Sequence, residues 1–170
     1  SLTNAVGNSS SCPCDLSTID NCNSLQLLCL PEKHISKLQR IQNSAARLVT
    51  LTKKRDHITP VLRDLHWLPI KYRIQYKVLL ITFKAVNGTA PHYISELLLS
   101  YTPSRCLRSS SQNLLTVPPA RTKTFGERAF AHAAPKLWNS LPDSLRCQMS
   151  IDQFKMKLKT HLYNVAYVCK

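Results

Sequence analysis

With 170 residues the chain can bury one sizeable core or two small ones, and little more. Hydrophobic residues make up 44% and charged residues 19%, a globular balance that excludes an intrinsically disordered chain. The 23 Lys and Arg against nine Asp and Glu leave a net charge of +14, which favours phosphate-bearing or anionic-membrane partners.

Residues 1–24 are rich in Ser and Asn and lack periodicity, so they read as a flexible leader; 25–30 is short and apolar. A long amphipathic helix is predicted over 31–51. Leu38, Ile41, Ala45 and Leu48 recur at intervals of three and four and form its apolar stripe. At about 100° per residue, Lys33, Lys37, Arg40 and Arg47 share a sector of about 80°, roughly 110° round from that stripe. The basic run Lys53-Lys54-Arg55 follows. A short helix is expected next, with Thr59 as N-cap and Pro60 at its first position, ending at His66-Trp67-Leu68-Pro69.

A second long helix is predicted over 71–87, apolar round more than half its circumference through Ile74, Val78, Leu79, Leu80, Ile81, Phe83 and Ala85, and stopped by Gly88. Ala90-Pro91 restarts a shorter helix to about residue 99, with Ile94, Leu97 and Leu98 facing in. A polar loop leads to the one plausible strand, 114–117, which Pro118-Pro119 ends. Thr124-x-x-Glu127 has the form of a capping box and sets a helix start near Phe125, with Pro135 expected to end or kink it. A second box, Ser150-x-x-Gln153, opens a final helix whose stripe is Ile151, Phe154, Leu158 and Leu162. Trp67 and Trp138, each closely followed by Leu-Pro, read as buried corner anchors. The expected fold is mainly α: an irregular multi-helix assembly with at most a small β element. Its segments are the leader 1–24, a basic helical part 25–100, a loop 101–123 and a C-terminal helical part 124–167, with 25–167 as one unit.

Catalytic chemistry finds little support. The six aspartates, Asp15, Asp20, Asp56, Asp64, Asp143 and Asp152, include no adjacent pair, which a two-metal polymerase site ordinarily uses. Asp56-His57 and Asp64-x-His66 pair a carboxylate with an imidazole, but no strained Ser or Cys accompanies them. The structural reading is preferred: Asp56 caps a turn and His66 packs beside Trp67, and His132 is a packed or surface residue. Cys12, Cys14, Cys22 and Cys29, with or without His34, do not follow the spacing of standard zinc sites, so no metal and no cofactor are expected. No segment approaches the ~18 apolar residues of a membrane span, so no membrane association is expected. No signal peptide is legible either, which implies an intracellular chain, nuclear or cytoplasmic, rather than a secreted one.

The segments KLQRIQNSAARLV and DHITPVLRDLHWLPIKYRIQYKVLLITFKAVNGTAPHYISELL carry a resemblance, continued by RCLRSSSQNLLTVPPARTKTFGERAFAHAAPKLWNSLPDSLR and IDQFKMKLKTHLYNVAY. Together they closely resemble the C-terminal region of reverse transcriptases from non-LTR (LINE-type) retrotransposons of the jockey and chicken-repeat kind. The resemblance covers about residues 22–167; the leader departs from it, and the start at Ser1 reads as that of a fragment. It implies a non-catalytic segment downstream of the palm and thumb of an RNA-directed DNA polymerase, whose Tyr-x-Asp-Asp-type motif this chain lacks.

Two functional classes follow. In the first, Lys37, Arg40, Arg47, Lys53, Lys54 and Arg55, with Arg73 and Lys77 on the next helix, contact the phosphates of RNA or DNA. Between Lys33 and Lys84 there are twelve basic residues against two acidic ones, which concentrates the field there. Stacking by Tyr72 or Tyr76 would point to single strands, unless both belong to the core. In the second class the chain is a helical scaffold or relic without independent activity, its apolar faces meeting the palm and thumb of a parent polymerase.

Overall fold

Seven α-helices and no β-strand are found among the residues described by the computed structural model, 31–102, 113–120, 126–127, 129–147 and 149–168. In order they are α1 (Glu32–Thr50), α2 (Ile58–Asp64), α3 (Ile70–Val86), α4 (His92–Ser95), α5 (Phe130–Asn139), α6 (Asp143–Arg146) and α7 (Ile151–Tyr167). The fold is mainly α, as the periodicities imply. The leader with its cysteines, the apolar 25–30 segment, most of the polar loop, and Thr124 and Phe125 lie outside the described residues.

Helix α3 is central. It buries Ile70, Ile74, Val78, Leu79, Thr82, Phe83 and Ala85, and packs against α1, α4, α5 and α7. One side meets Ala134 of α5 with Ile35 and Leu38 of α1; the other joins Trp138, Leu141, Leu145, Phe154, Leu158 and Leu162 in the larger cluster. There the rings of Phe83 and Phe154 stack at 4.2 Å, with Trp138 tilted against both. Trp138 is fully buried and its indole N–H donates to the Asn113 carbonyl at 2.8 Å, whereas Trp67 is only half-buried.

Several local expectations are corrected. Helix α2 starts two residues early, at Ile58, with His57 in the N-cap position and no side-chain cap, so Thr59 does not play that role. The 114–117 segment forms a single antiparallel bridge, Ser100 with Leu115, and not a strand. The Asn139 side chain extends that pairing by bonding both the N–H and the carbonyl of Leu115. Gly126 and Glu127 lie in a turn and α5 begins only at Phe130, so Pro135 sits in the middle of the helix. The helix runs on through it. Burial of the Pro135 ring in the apolar core accompanies the hydrogen bond its missing N–H forgoes. Leu97 faces solvent, while Ile94 is buried. The Ser150 cap does form, its hydroxyl accepting the Gln153 N–H at 3.4 Å.

Three helix ends share one geometry. After α1, α2 and α3, a residue in the left-handed region (Leu51 φ 54°, His66 φ 55°, Gly88 φ 69°) lets the next N–H reach back to a carbonyl five residues earlier. Only the last uses glycine, the residue that takes this conformation without steric penalty.

Candidate nucleic-acid interface

The basic face of α1 depends on how the helix is rolled onto its neighbours. Its buried residues are Gln42 and Ala46, with Ile35, Leu38 and Gln39 partly covered. At about 100° per residue, this face is centred roughly 90° away from the expected apolar stripe. Ile41 is 65% exposed and Leu48 77% exposed, so those two members of the stripe are not core residues.

The reason is polar. The junction between α2 and α3 presents a carbonyl at Leu68 and a free first-turn N–H at Ile70, and both need partners once α1 covers them. Gln42 donates to the Leu68 carbonyl and Gln39 accepts from the Ile70 N–H, each at 2.9 Å. Gln39 also donates to Gln42 and Asn43, which locks the pair. Buried backbone groups left unpaired cost about 1–3 kcal/mol each, and that fixes the roll of the helix. The same roll turns Lys33, Lys37 and Arg40 almost directly away from the core. Lys33, Lys37 and Arg40 are all exposed.

Arg47 has a different task from its neighbours. Its guanidinium donates to the Lys53 carbonyl at 2.5 Å and to the Asp56 carbonyl at 2.9 Å. The turn it grips is closed by the Asp56 N–H to the Lys53 carbonyl and by the Asp56 carboxylate accepting the Lys53 N–H. Arg47 is therefore a positioning residue rather than a free phosphate ligand. It lies within ~20° of Arg40 round the helix and ~10 Å along it, so its grip draws the turn onto the basic side of α1. Lys53, Lys54 and Arg55 stand exposed on that turn. Lys37, Arg40, Lys53, Lys54 and Arg55 form no ion pair among the described residues.

Arg73 and Lys77 do not join this face. They form, with Lys84, a half-buried row on α3, and α1 meets α3 through Ile35 and Leu38, opposite its own basic stripe. Tyr72 and Tyr76 pack against the larger core cluster.

A feature missed in the sequence lies where α2 meets the end of α7. The Tyr163 hydroxyl donates to the Arg63 carbonyl at 2.9 Å, and the Tyr167 hydroxyl donates to the Trp67 carbonyl. His66, exposed and not packed as expected beside Trp67, stacks on Tyr163 at 5.9 Å; Tyr163 in turn lies 4.9 Å from Tyr167. Burial, with the Tyr163 hydroxyl beside it, pushes the Tyr167 hydroxyl up to about 12. Beside Tyr167 opens a groove of about 300 Å³ lined also by His57, Thr59, Pro60 and Arg63. The Asp56 carboxylate caps its turn, and the His132 Nδ1 meets the Pro118 carbonyl at 2.8 Å. Among the described residues, no three His, Cys, Asp or Glu side chains gather as a metal site, and no helix is long and apolar enough to cross a membrane.

No family model, no curated protein and no solved structure matches this chain.

Proposed function

We propose that this chain is a non-catalytic, nucleic-acid-binding segment from the region downstream of the palm and thumb of a LINE-type retrotransposon reverse transcriptase, acting inside the cell. The resemblance supplies the origin. One observation carries the activity: Lys37 and Arg40 on the outer side of α1 and Lys53, Lys54 and Arg55 on the turn pinned by Arg47 form one exposed cationic track whose side chains make no ion pair among the described residues. Such a track neutralises phosphates and releases their counterions, so binding is salt-sensitive and indifferent to sequence. Replacing these five residues with Gln should abolish most binding to RNA and DNA alike while the helical circular-dichroism signal and melting midpoint stay close to wild type. Unchanged binding by the folded variant contradicts the proposal.

A second reading, a scaffold that docks on a parent polymerase, is favoured by a different observation. Ile41, Leu48 and, at 90% exposure, Leu51 put aliphatic surface on the outer side of α1. On that reading nucleic-acid binding is weak from the start and the five substitutions do not alter it.

A further inference from the structure

We infer that the aromatic row His66–Tyr163–Tyr167 and the groove beside it form a binding site for single-stranded nucleic acid, stacking unpaired bases as the backbone leaves the cationic turn. The inference rests on the nucleic-acid reading above and deepens it by naming the strand state of the ligand.

Three observations converge. First, the rings are held from behind. The Tyr163 and Tyr167 hydroxyls are engaged by the Arg63 and Trp67 carbonyls, so the rings are fixed before any ligand arrives and little side-chain entropy is lost on stacking. Second, the groove has the size and lining for a single nucleotide. Its roughly 300 Å³ lies at the small end of ligand sites. Tyr167 and Pro60 line it together with Arg63, His57 and Thr59, so aromatic and apolar residues stand beside residues able to form hydrogen bonds. Third, the chain itself links the parts: Lys53, Lys54 and Arg55 lead through Asp56 directly to His57 at the groove. A strand following the turn delivers its phosphates to the cations and its next base to the groove. Aromatic platforms beside a cationic track recognise single strands because every base has a π-face, whereas a duplex keeps its faces inside the stack. Tyr72 and Tyr76, the side chains expected to play this part, pack against the larger core cluster; Tyr163 leans on it too, but its ring also pairs with His66 and Tyr167 at the join of α2 and α7.

The test is fluorescence anisotropy on the full chain, with labelled oligothymidylate, oligouridylate and a blunt hairpin duplex as probes. His66→Gly removes one ring while keeping a residue suited to the positive φ, and Tyr167→Leu removes another; Tyr167→Phe keeps the ring and loses only the hydroxyl. Each ring deletion should weaken single-strand binding by about tenfold, leave duplex binding within about twofold, and leave the phosphate-driven salt slope in place. Tyr167→Phe should weaken single-strand binding by no more than about threefold, the part contributed by holding the ring in place, and far less than Tyr167→Leu. The inference is overturned if folded ring variants bind single strands normally, which makes the tyrosines mere ties between α2 and α7. It is equally overturned if single-strand and duplex binding fall by the same factor. If the ring variants are silent while the five-residue Gln variant loses binding, only this inference fails. If wild type binds none of the probes, the parent reading fails with it.

Discussion

Helix α7 buries Phe154, Leu158, Leu162 and Ala166 against the centre of the molecule, whereas α1, 19 residues to its 17, buries only Gln42 and Ala46. The first is held by apolar packing, which is strong and forgiving of direction. The second has a thin apolar contact through Ile35, Leu38 and Ala46, and beside it two glutamines that read one carbonyl and one N–H at fixed distances. A directional anchor fixes the roll of a helix with few buried atoms, and it leaves most of the circumference available. On α1 that free circumference carries Lys33, Lys37, Arg40, Ile41 and Leu48; on α7 it carries lysines until the two tyrosines near the end. Cationic track and aromatic row thus belong to different helices, and α2 connects them.

The contrast between the two anchors can be broken in order of size. Phe154→Ala removes a fully buried ring stacked on Phe83 and should destabilise the fold by about 3–5 kcal/mol, read from denaturant melts. Gln42→Ala strands the Leu68 carbonyl under α1 and should cost about 1–3 kcal/mol. A negligible effect would show that α1 is held by something other than its glutamines. The smallest effect concerns the join between α2 and α7. The Tyr167 hydroxyl stands at about 12 against an ordinary 10.0, so the folded state holds this proton more tightly than the unfolded chain. Its contribution to stability is complete below pH 10 and is lost as the pH rises from there through 12. Wild type should therefore lose more stability than Tyr167→Phe between neutral and strongly alkaline pH. Parallel losses would mean that the Tyr167 proton is held no more tightly in the folded state than in the unfolded chain.

Much of this was legible in the sequence. The stripe of α7 and the near-encircling apolar surface of α3 announce themselves because aliphatic and aromatic residues at helical spacing have one common use. Gly88 announces its helix end because glycine alone takes a positive φ without steric penalty. The roll of α1 was hidden, because Gln39 and Gln42 count as polar in any periodicity, and only the unmet backbone groups at Leu68 and Ile70 draw them inward. Arg47 was counted among the free cations because its carbonyl partners lie six and nine residues on, in a turn whose shape no local pattern specifies. The aromatic row was invisible for a simpler reason. Tyr163 and Tyr167 meet Arg63 and Trp67 across a hundred residues of chain.

The central claim is that the cations exposed by this roll of α1, and by the turn that Arg47 holds against it, contact phosphates. It is tested most directly by the slope of log binding constant against log salt for wild type and for the variant with Lys37, Arg40, Lys53, Lys54 and Arg55 changed to Gln. Each lost contact should make the line shallower by ~0.7 on single strands and ~0.9 on duplex, with the melting midpoint essentially unmoved. Two parallel lines from two equally folded proteins would contradict it.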